Sequence, residues 1–218
     1  MTPRAFVLQQ TRLSEPSLVP EFQLYLADEA VPLWQATEQV LERVNVPPPY
    51  WAFAWPGGQA LARLLLDQPN LVAGHRVVDL GAGCGIASLA AARAGAASVL
   101  AADIDAFAAA AIALNAEANG VVLSTTTDNL LGQPLDADVL LIGDMCYERA
   151  LAEAVLAWAR PAAAAGRLVL LADPGRAYRP TDGLAAMADY VVPTSLDLED
   201  KTERHTRIWR LLSGGTPS

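Results

Sequence analysis

The chain has 218 residues, of which 53% are hydrophobic, enough for one well-buried α/β domain and too few for two generous ones. Its formal net charge of −9 argues against a partner dominated by phosphates, since a nucleic-acid footprint needs clustered Lys and Arg to displace counterions, so no nucleic-acid partner is expected and a protein or cationic small molecule fits better. Alanine supplies much of the hydrophobic fraction, and the longest apolar runs, such as Ala106 to Leu114, fall short of the roughly 18 residues of a membrane span, so no membrane partner is expected either. Met1-Thr2-Pro3-Arg4 leads into mixed polar sequence without the apolar core of a secretory signal, and two cysteines make no disulfide framework, so the cytoplasm is the expected compartment. His75 and His205 are the two histidines, and without a Cys/His cluster at ligand spacing no metal is expected. A monomer is the expected state.

Residues 1–50 read as an N-terminal extension packed on the core, with residues 51–218 as the domain proper. Phe22 to Ala27 alternates as a short strand does, and Pro32 to Val44 reads as a helix with proline near its first turn. Asp28 and Glu29 between them either face a cationic substrate or form a solvated acidic turn, the simpler reading. Pro47 to Gly58 combines stiff prolines, four large aromatics and a diglycine, which marks a held segment. Trp51 and Phe53 are expected to staple the extension to the core. Trp55 stands just before a helix expected over Gln59 to Leu66.

Val77 to Ala90 organises the rest. Val77 to Leu80 suits a buried parallel strand, Gly81, Gly83 and Gly85 fill a turn, and the Ala/Leu-rich run from Ile86 to Gly95 suits a helix. Alternate glycines open main-chain N–H groups near a helix N-terminus to a ligand, although a tight strand-to-helix turn needs glycine for packing alone. A second apolar strand, Ser98 to Ala102, ends at Asp103, where a carboxylate accepts both hydroxyls of an adenosine ribose. The spacing G-x-G-x-G favours S-adenosylmethionine (SAM) over NAD, and the chain resembles the seven-stranded SAM-dependent methyltransferases. That resemblance implies a doubly wound, mostly parallel seven-stranded α/β sheet with an antiparallel C-terminal strand.

Ala106 to Ala118 is helical by composition and stops at Asn119-Gly120, and Val121 to Thr126 reads as a strand. Asp128 and Asn129 follow at the sheet edge where ligands collect, placed to bond an adenine or to form a plain Asx turn. The strand Asp138 to Gly143 then delivers Asp144-Met145-Cys146-Tyr147 to the same edge. Many amino-methylating enzymes carry Asn-Pro-Pro-Tyr here, which this chain lacks. Asp144 is instead an acceptor suited to an ammonium or its amine, and Tyr147 adds a face that attracts cations. As a structural reading, Asp144 caps a helix over Glu148 to Ala159.

Asp-x-x-Tyr, with Trp-Pro-Gly-Gly-Gln-Ala-Leu-Ala upstream, resembles the protein lysine methyltransferases of family 16. Pro-Pro-Tyr-Trp-Ala-Phe-Ala-Trp-Pro-Gly-Gly-Gln, Asp-Leu-Gly-Ala-Gly-Cys-Gly, Ala-Asp-Ile-Asp, Gly-Asp-Met-Cys-Tyr-Glu and Asp173-Pro174-Gly175-Arg176 occur in the order found in the branch that methylates lysines of the electron transfer flavoprotein β-subunit. Cys146 departs from that pattern by standing where a bulkier aromatic is expected. The resemblance implies SAM as cofactor, the flavoprotein β-subunit as protein substrate, and Trp55 against the cofactor. Candidate cofactor-binding residues are Trp55, Asp79, Gly81, Gly83, Gly85, Asp103, Asp128 and Asn129, and candidate catalytic residues are Asp144 and Tyr147.

Arg167 to Ala172 reads as the next strand, and Asp173 to Arg176 as a turn with its own ion pair or as part of a substrate mouth. Tyr190 to Leu196 and Thr206 to Leu211 read as an antiparallel hairpin joined by a solvated charge run, Glu199 to Arg204. Other readings are a methyltransferase for a ribosomal protein, for which Asn129-Leu130-Leu131 offers a faint resemblance, or for a small amine; a nucleotide-binding oxidoreductase; and a non-catalytic SAM-binding protein.

Overall fold

The computed structural model describes residues 1–28, 48–196 and 199–213; the helix expected over Pro32 to Val44 and the acidic Glu29 lie outside them. In chain order the elements are α1 (Pro3–Gln10), β1 (Arg12–Ser14), β2 (Leu24–Leu26), α2 (Pro56–Asp67), β3 (Arg76–Leu80), α3 (Ile86–Arg93), β4 (Ser98–Ala102), α4 (Ala106–Asn119) and β5 (Ser124–Thr126). They continue with β6 (Val139–Gly143), α5 (Arg149–Ala164), β7 (Leu168–Asp173), β8 (Leu184–Pro193) and β9 (Glu203–Leu211). Among the described residues no helix is long and apolar enough to cross a membrane.

The main sheet has seven strands in the order β5-β4-β3-β6-β7-β9-β8, parallel from β5 to β7, with β9 inserted antiparallel between β7 and β8. Strands buried on both faces are continuously apolar, and β6 and the Leu168 to Ala172 run of β7 read that way, as does β3 apart from Arg76 and the buried Asp79. Side chains alternate between the faces. Val139, Leu141 and Leu170 pack with Leu61, Leu64 and Leu89 of α2 and α3, whereas Leu140, Ile142, Val169 and Leu171 pack with Ala152, Val155 and Ala159 of α5. Three layers result, and each fully buried leucine contributes about 1.5–3 kcal/mol relative to exposure. From β3 the chain winds outward through β4 and β5, then returns to β6 on the other side. The winding therefore reverses between β3 and β6, whose ends align at Leu80 and Ile142. A crevice at such a switch point is where open α/β sheets bind ligands.

Among the described residues, the extension forms its own two-stranded sheet, β1 with β2, and neither strand joins the main sheet. Trp51 and Phe53 are buried in a cluster with Val7, Ala108 and Leu114, as the stapling reading expects. The Trp51 ring stacks on Phe107 at 6.2 Å and meets Phe6 edge-on at 6.3 Å. Asn115, buried on α4, accepts from the Tyr25 N–H at 2.7 Å and donates to the Cys84 carbonyl at 2.8 Å, so one side chain ties the extension to the glycine turn.

Some expected boundaries move for local reasons. The strand expected from Val121 begins only at Ser124, because Gly120 turns left-handed after α4 and the Val121 N–H closes on the Ala116 carbonyl at 3.1 Å. β8 starts at Leu184 and ends at Pro193, and β9 takes in Glu203 and Arg204 from the charge run, because Glu203 pairs with Pro193 and Arg204 with Val192. α1 and β1 were not expected, although Thr2 caps α1 by accepting the Ala5 N–H at 3.3 Å and Pro3 sits in its first turn.

Candidate active site

At the end of β3 the chain turns through Gly81, whose φ of 67° is closed to most side chains, and the Gly81 and Ala82 N–H groups donate to the Ala102 carbonyl at 2.9 and 3.1 Å. Asp103, at the end of β4, reaches back across this turn. Its Oδ2 accepts the Gly83 N–H at 2.9 Å and its Oδ1 the Asp105 N–H at 3.0 Å. Burial raises the Asp103 carboxyl above the usual range, against these two backbone donors. Beneath the turn, Asp79 is 3% exposed and accepts the Ser88 hydroxyl at 2.6 Å; burial pushes its carboxyl up to about 7.

The turn floors a cavity of about 420 Å³, a size suited to a small organic ligand. Trp55, Gly81, Gly83, Asp103, Asp128, Asn129, Asp144 and Tyr147 line it. Asp79 and Gly85, also named from the sequence, do not: Asp79 braces the turn from below, and Gly85 stands at the N-terminus of α3 with φ 81°. Asn129 both lines the cavity and makes the Asx turn, accepting the Leu131 N–H at 3.0 Å.

Across the cavity from Asp103, on the far side of β3, β6 ends in Asp144. It is the one non-glycine residue at positive φ among the described residues, at 56°, a conformation that costs an ordinary residue about 1–2 kcal/mol. The strain is offset by contacts. The Asp144 N–H donates to the Ala172 carbonyl at 3.0 Å, Oδ1 accepts Arg176 Nη2 at 3.1 Å, and Oδ2 accepts the Gly57 N–H. The Asp144 carboxylate therefore caps α2 and not the following helix, whose N-cap is Glu148 without a side-chain bond. This explains the glycine directly after Pro56. A Cβ on Gly57 would stand 2.8 Å from both the Ala172 carbonyl oxygen and the Asp144 nitrogen. Burial pushes Asp144 up to about 6, while Arg176 and the Gly57 N–H work in the other direction.

Aromatic rings line the cavity beside this carboxylate. The Trp55 Nε1–H donates to the Tyr50 carbonyl at 2.8 Å, and the Tyr50 ring lies 5.9 Å from Trp55 and 5.5 Å from Tyr147. Tyr147 is 43% exposed, and burial of its hydroxyl end pushes it up to about 12, so it is a neutral phenol at physiological pH. Cys146 is 1% exposed and packs with α5 and β7, away from the cavity, so the missing aromatic at this position leaves the cavity wall untouched. Burial likewise pushes its thiol up to about 12.

Arg176 is placed differently from its expected local pair. Asp173 Oδ1 accepts the N–H groups of Gly175 and Arg176, both at 2.7 Å, and the Arg176 guanidinium instead bridges Asp144 and Glu199 beside Trp55. Tyr50, Gly57, Arg176 and Glu199 are the contributors to this region that sequence reasoning missed or left undecided. The Pro-Gly-Gly run was a local signal for Gly57, and the Asp173 to Arg176 turn for Arg176; Glu199 carried none.

Residues 60–142 match the family model described as ribosomal protein L11 methyltransferase. The chain is 38% identical over 213 residues to the electron transfer flavoprotein β-subunit lysine methyltransferase of Danio rerio, which covers 94% of this chain and 81% of that protein. Its identity to the Xenopus laevis protein of the same name is 43% over 178 residues, covering 80% and 71%. Among solved structures, a candidate RNA methyltransferase from Pyrococcus horikoshii superposes with a TM-score of 0.55 at 16% identity, covering 82% of this chain and 94% of that one. Magnesium protoporphyrin IX methyltransferase from Synechocystis PCC 6803, solved with SAM bound, gives 0.51 at 19% identity, covering 71% and 77%. At such identities the structural likeness establishes the fold.

Proposed function

Since the chain belongs to the family of electron transfer flavoprotein β-subunit lysine methyltransferases, we propose that it transfers methyl groups from SAM to lysines of that β-subunit. The observation that carries this reading is a fixed carboxylate, Asp144, lining the same cavity as the glycine turn and Asp103, on the opposite side of β3. Two strand spacings separate the ends of β4 and β6, about 10 Å. That span suits a nucleoside bound at one side and an amine presented at the other.

The residues present fit SAM. Gly81 and Gly83 keep side chains out of the turn, and Asp103, already held by two backbone N–H groups, keeps lone pairs for two ribose hydroxyls. Asp128 and Asn129 line the same cavity and would bond an adenine edge, and Trp55 would supply an apolar wall. Asp79 and Gly85 act by shaping the turn. When bound, SAM supplies a methyl group on a positively charged sulfur, open to attack by a free amine.

The chain's own task is to present that amine. A lysine has an ordinary pKa near 10.4, so a proton must leave before the nitrogen can attack. A carboxylate near 6 is too weak a base to strip the proton alone. Asp144 accepts an N–H of the nitrogen, fixes the direction of its lone pair, and relays the proton to water; positioning supplies most of the rate. Tyr50 and Tyr147, both neutral, form the cation-attracting wall along which the side chain enters.

The ribosomal-protein match ends at residue 142, two residues before Asp144, and so bears on the cofactor half only. Incubation with tritiated SAM and electron transfer flavoprotein tests the substrate. Label is expected in the β-subunit; label confined to ribosomal proteins or small amines would redirect the assignment.

A further inference from the structure

Asp144 is one member of a longer chain of charges. Arg176 Nη2 lies 3.1 Å from Asp144 Oδ1 and 2.6 Å from Glu199 Oε1, and Nη1 lies 3.3 Å from Glu199 Oε2. Glu199, in the connection between β8 and β9, is 6% exposed and also accepts Arg204 Nε at 3.0 Å and Nη2 at 2.6 Å. Arg204 closes on Asp200 as well. Thus the hairpin that edges the sheet reaches, through one guanidinium, into the cavity.

The arrangement answers a problem in the chemistry proposed above. A buried carboxylate without a counter-cation binds a proton and goes neutral, or it traps an incoming lysine as the ammonium; either outcome stops methyl transfer. A carboxylate offers about four lone-pair sites, so engaging one on each oxygen, with Gly57 and Arg176, fixes its plane and leaves acceptors for the substrate. Other groups around Asp144 do not compensate its charge. Asp173 is an acid that repels it, Cys146 is a buried neutral thiol, and Tyr50 and Tyr147 are neutral phenols.

We propose that Arg176, held by Glu199, is a positioning residue for methyl transfer: it fixes the plane of the Asp144 carboxylate and compensates its charge, so that an entering lysine is presented as the free amine. The role rests on the lysine methyltransferase reading, whereas the pairing of Arg176 with Asp144 is measured without any substrate.

The test follows the carboxyl carbon of Asp144 by NMR in protein labelled at aspartate, its resonance identified by loss in Asp144→Asn. Arg176→Gln is expected to raise the pH at which Asp144 titrates by about one unit or more, and Arg176→Lys, which keeps the charge, to hold it close to the parent. In parallel, the acid limb of the methyl-transfer rate at saturating SAM moves up with Asp144 in Arg176→Gln. Arg176→Lys keeps the limb and lowers the rate at all pH values, because an ammonium does not fix the carboxylate plane as a guanidinium fork does. SAM binding by each variant reports that it is folded. An Asp144 titration unchanged in Arg176→Gln overturns the proposal, as does a uniform loss of rate with an unmoved acid limb. A parent protein with the expected titration that labels no lysine supports the pairing and overturns the lysine reading.

Discussion

At the glycine turn, residues 79–105 build the binding surface largely from their own backbone, Asp103 included, whereas at Asp144 the surface is assembled from Gly57, Asp144, Arg176 and Glu199, which lie on four separate segments. The first region draws its shape from contiguous strand-turn-helix geometry. The second depends on β6 lying beside β7, on α2 beginning against the end of β6, and on the β8–β9 hairpin reaching back over the edge. A contiguous device suits a constant ligand such as a nucleoside, and a composite one can be retuned from several directions for a particular amine. The two also differ in electrostatics. Asp103 is held by neutral N–H donors, Asp144 by an N–H donor and a guanidinium.

The contrast breaks most sharply at Asp144 itself. Asp144→Asn is expected to lower methyl transfer by about a hundredfold or more while SAM affinity stays within a few-fold, measured by labelled transfer and by calorimetric titration. Asp144→Ala adds a structural loss of about 1 kcal/mol, because the Gly57 N–H at the start of α2 loses its cap. Loss of SAM binding in Asp144→Asn would instead move this residue to the cofactor side.

Gly57→Ala sharpens the same division from the backbone. The new Cβ pushes on the Ala172 carbonyl and the Asp144 main chain, so transfer falls by about tenfold or more with SAM affinity retained. Gly81→Ala is its counterpart at the other region. There a left-handed φ and the Met145 thioether oppose a side chain, so stability falls by about 1–2 kcal/mol and SAM affinity falls with it.

Acidity separates the regions next. Burial lifts Asp144 to about 6, so the carboxylate is ionised above that pH and the transfer rate should fall about tenfold per unit below it, seen in a pH profile at saturating SAM. Asp79 bears on stability and not on the transfer step. Burial raises it from 3.8 to about 7, so the folded chain keeps a proton that the unfolded chain releases. Its contribution is therefore full below pH 3.8 and is lost as pH rises to about 7, at about 1.4 kcal/mol per unit. Asp79→Asn should gain stability relative to the parent between these limits, and thermal unfolding across pH would show whether it does.

How far each region could be read from sequence follows the same line. The β3 strand and the glycine turn were legible because apolar runs and glycine spacing act over neighbouring residues, whereas the mostly parallel sheet came from the family resemblance. The hairpin was legible in kind, but both strands begin earlier than expected and the first stops at Pro193, since pairing with β9, not local composition, extends β8 back to Leu184. α1 escaped notice because it is short and only weakly amphipathic, despite its Thr2 cap. At the second region, Asp144 and Tyr147 stood out by resemblance, but their partners did not. Arg176 lies three residues from Asp173, and sequence pairs them. In space only the main-chain N–H of Arg176, with that of Gly175, bonds Asp173, both at Oδ1, and the guanidinium reaches Glu199 and Asp144 instead. Glu199 looked like part of a solvated run, yet it is buried between two arginines. Such placements depend on which strand edges become neighbours.

The most direct measurement is the intact mass of the electron transfer flavoprotein β-subunit after incubation with SAM and either the parent protein or Asp144→Asn. The expected result is a gain in steps of one methylene, located on lysines and present with the parent alone. An equal gain with Asp144→Asn, or none with the parent while it binds SAM, would contradict the assignment of Asp144 and this substrate.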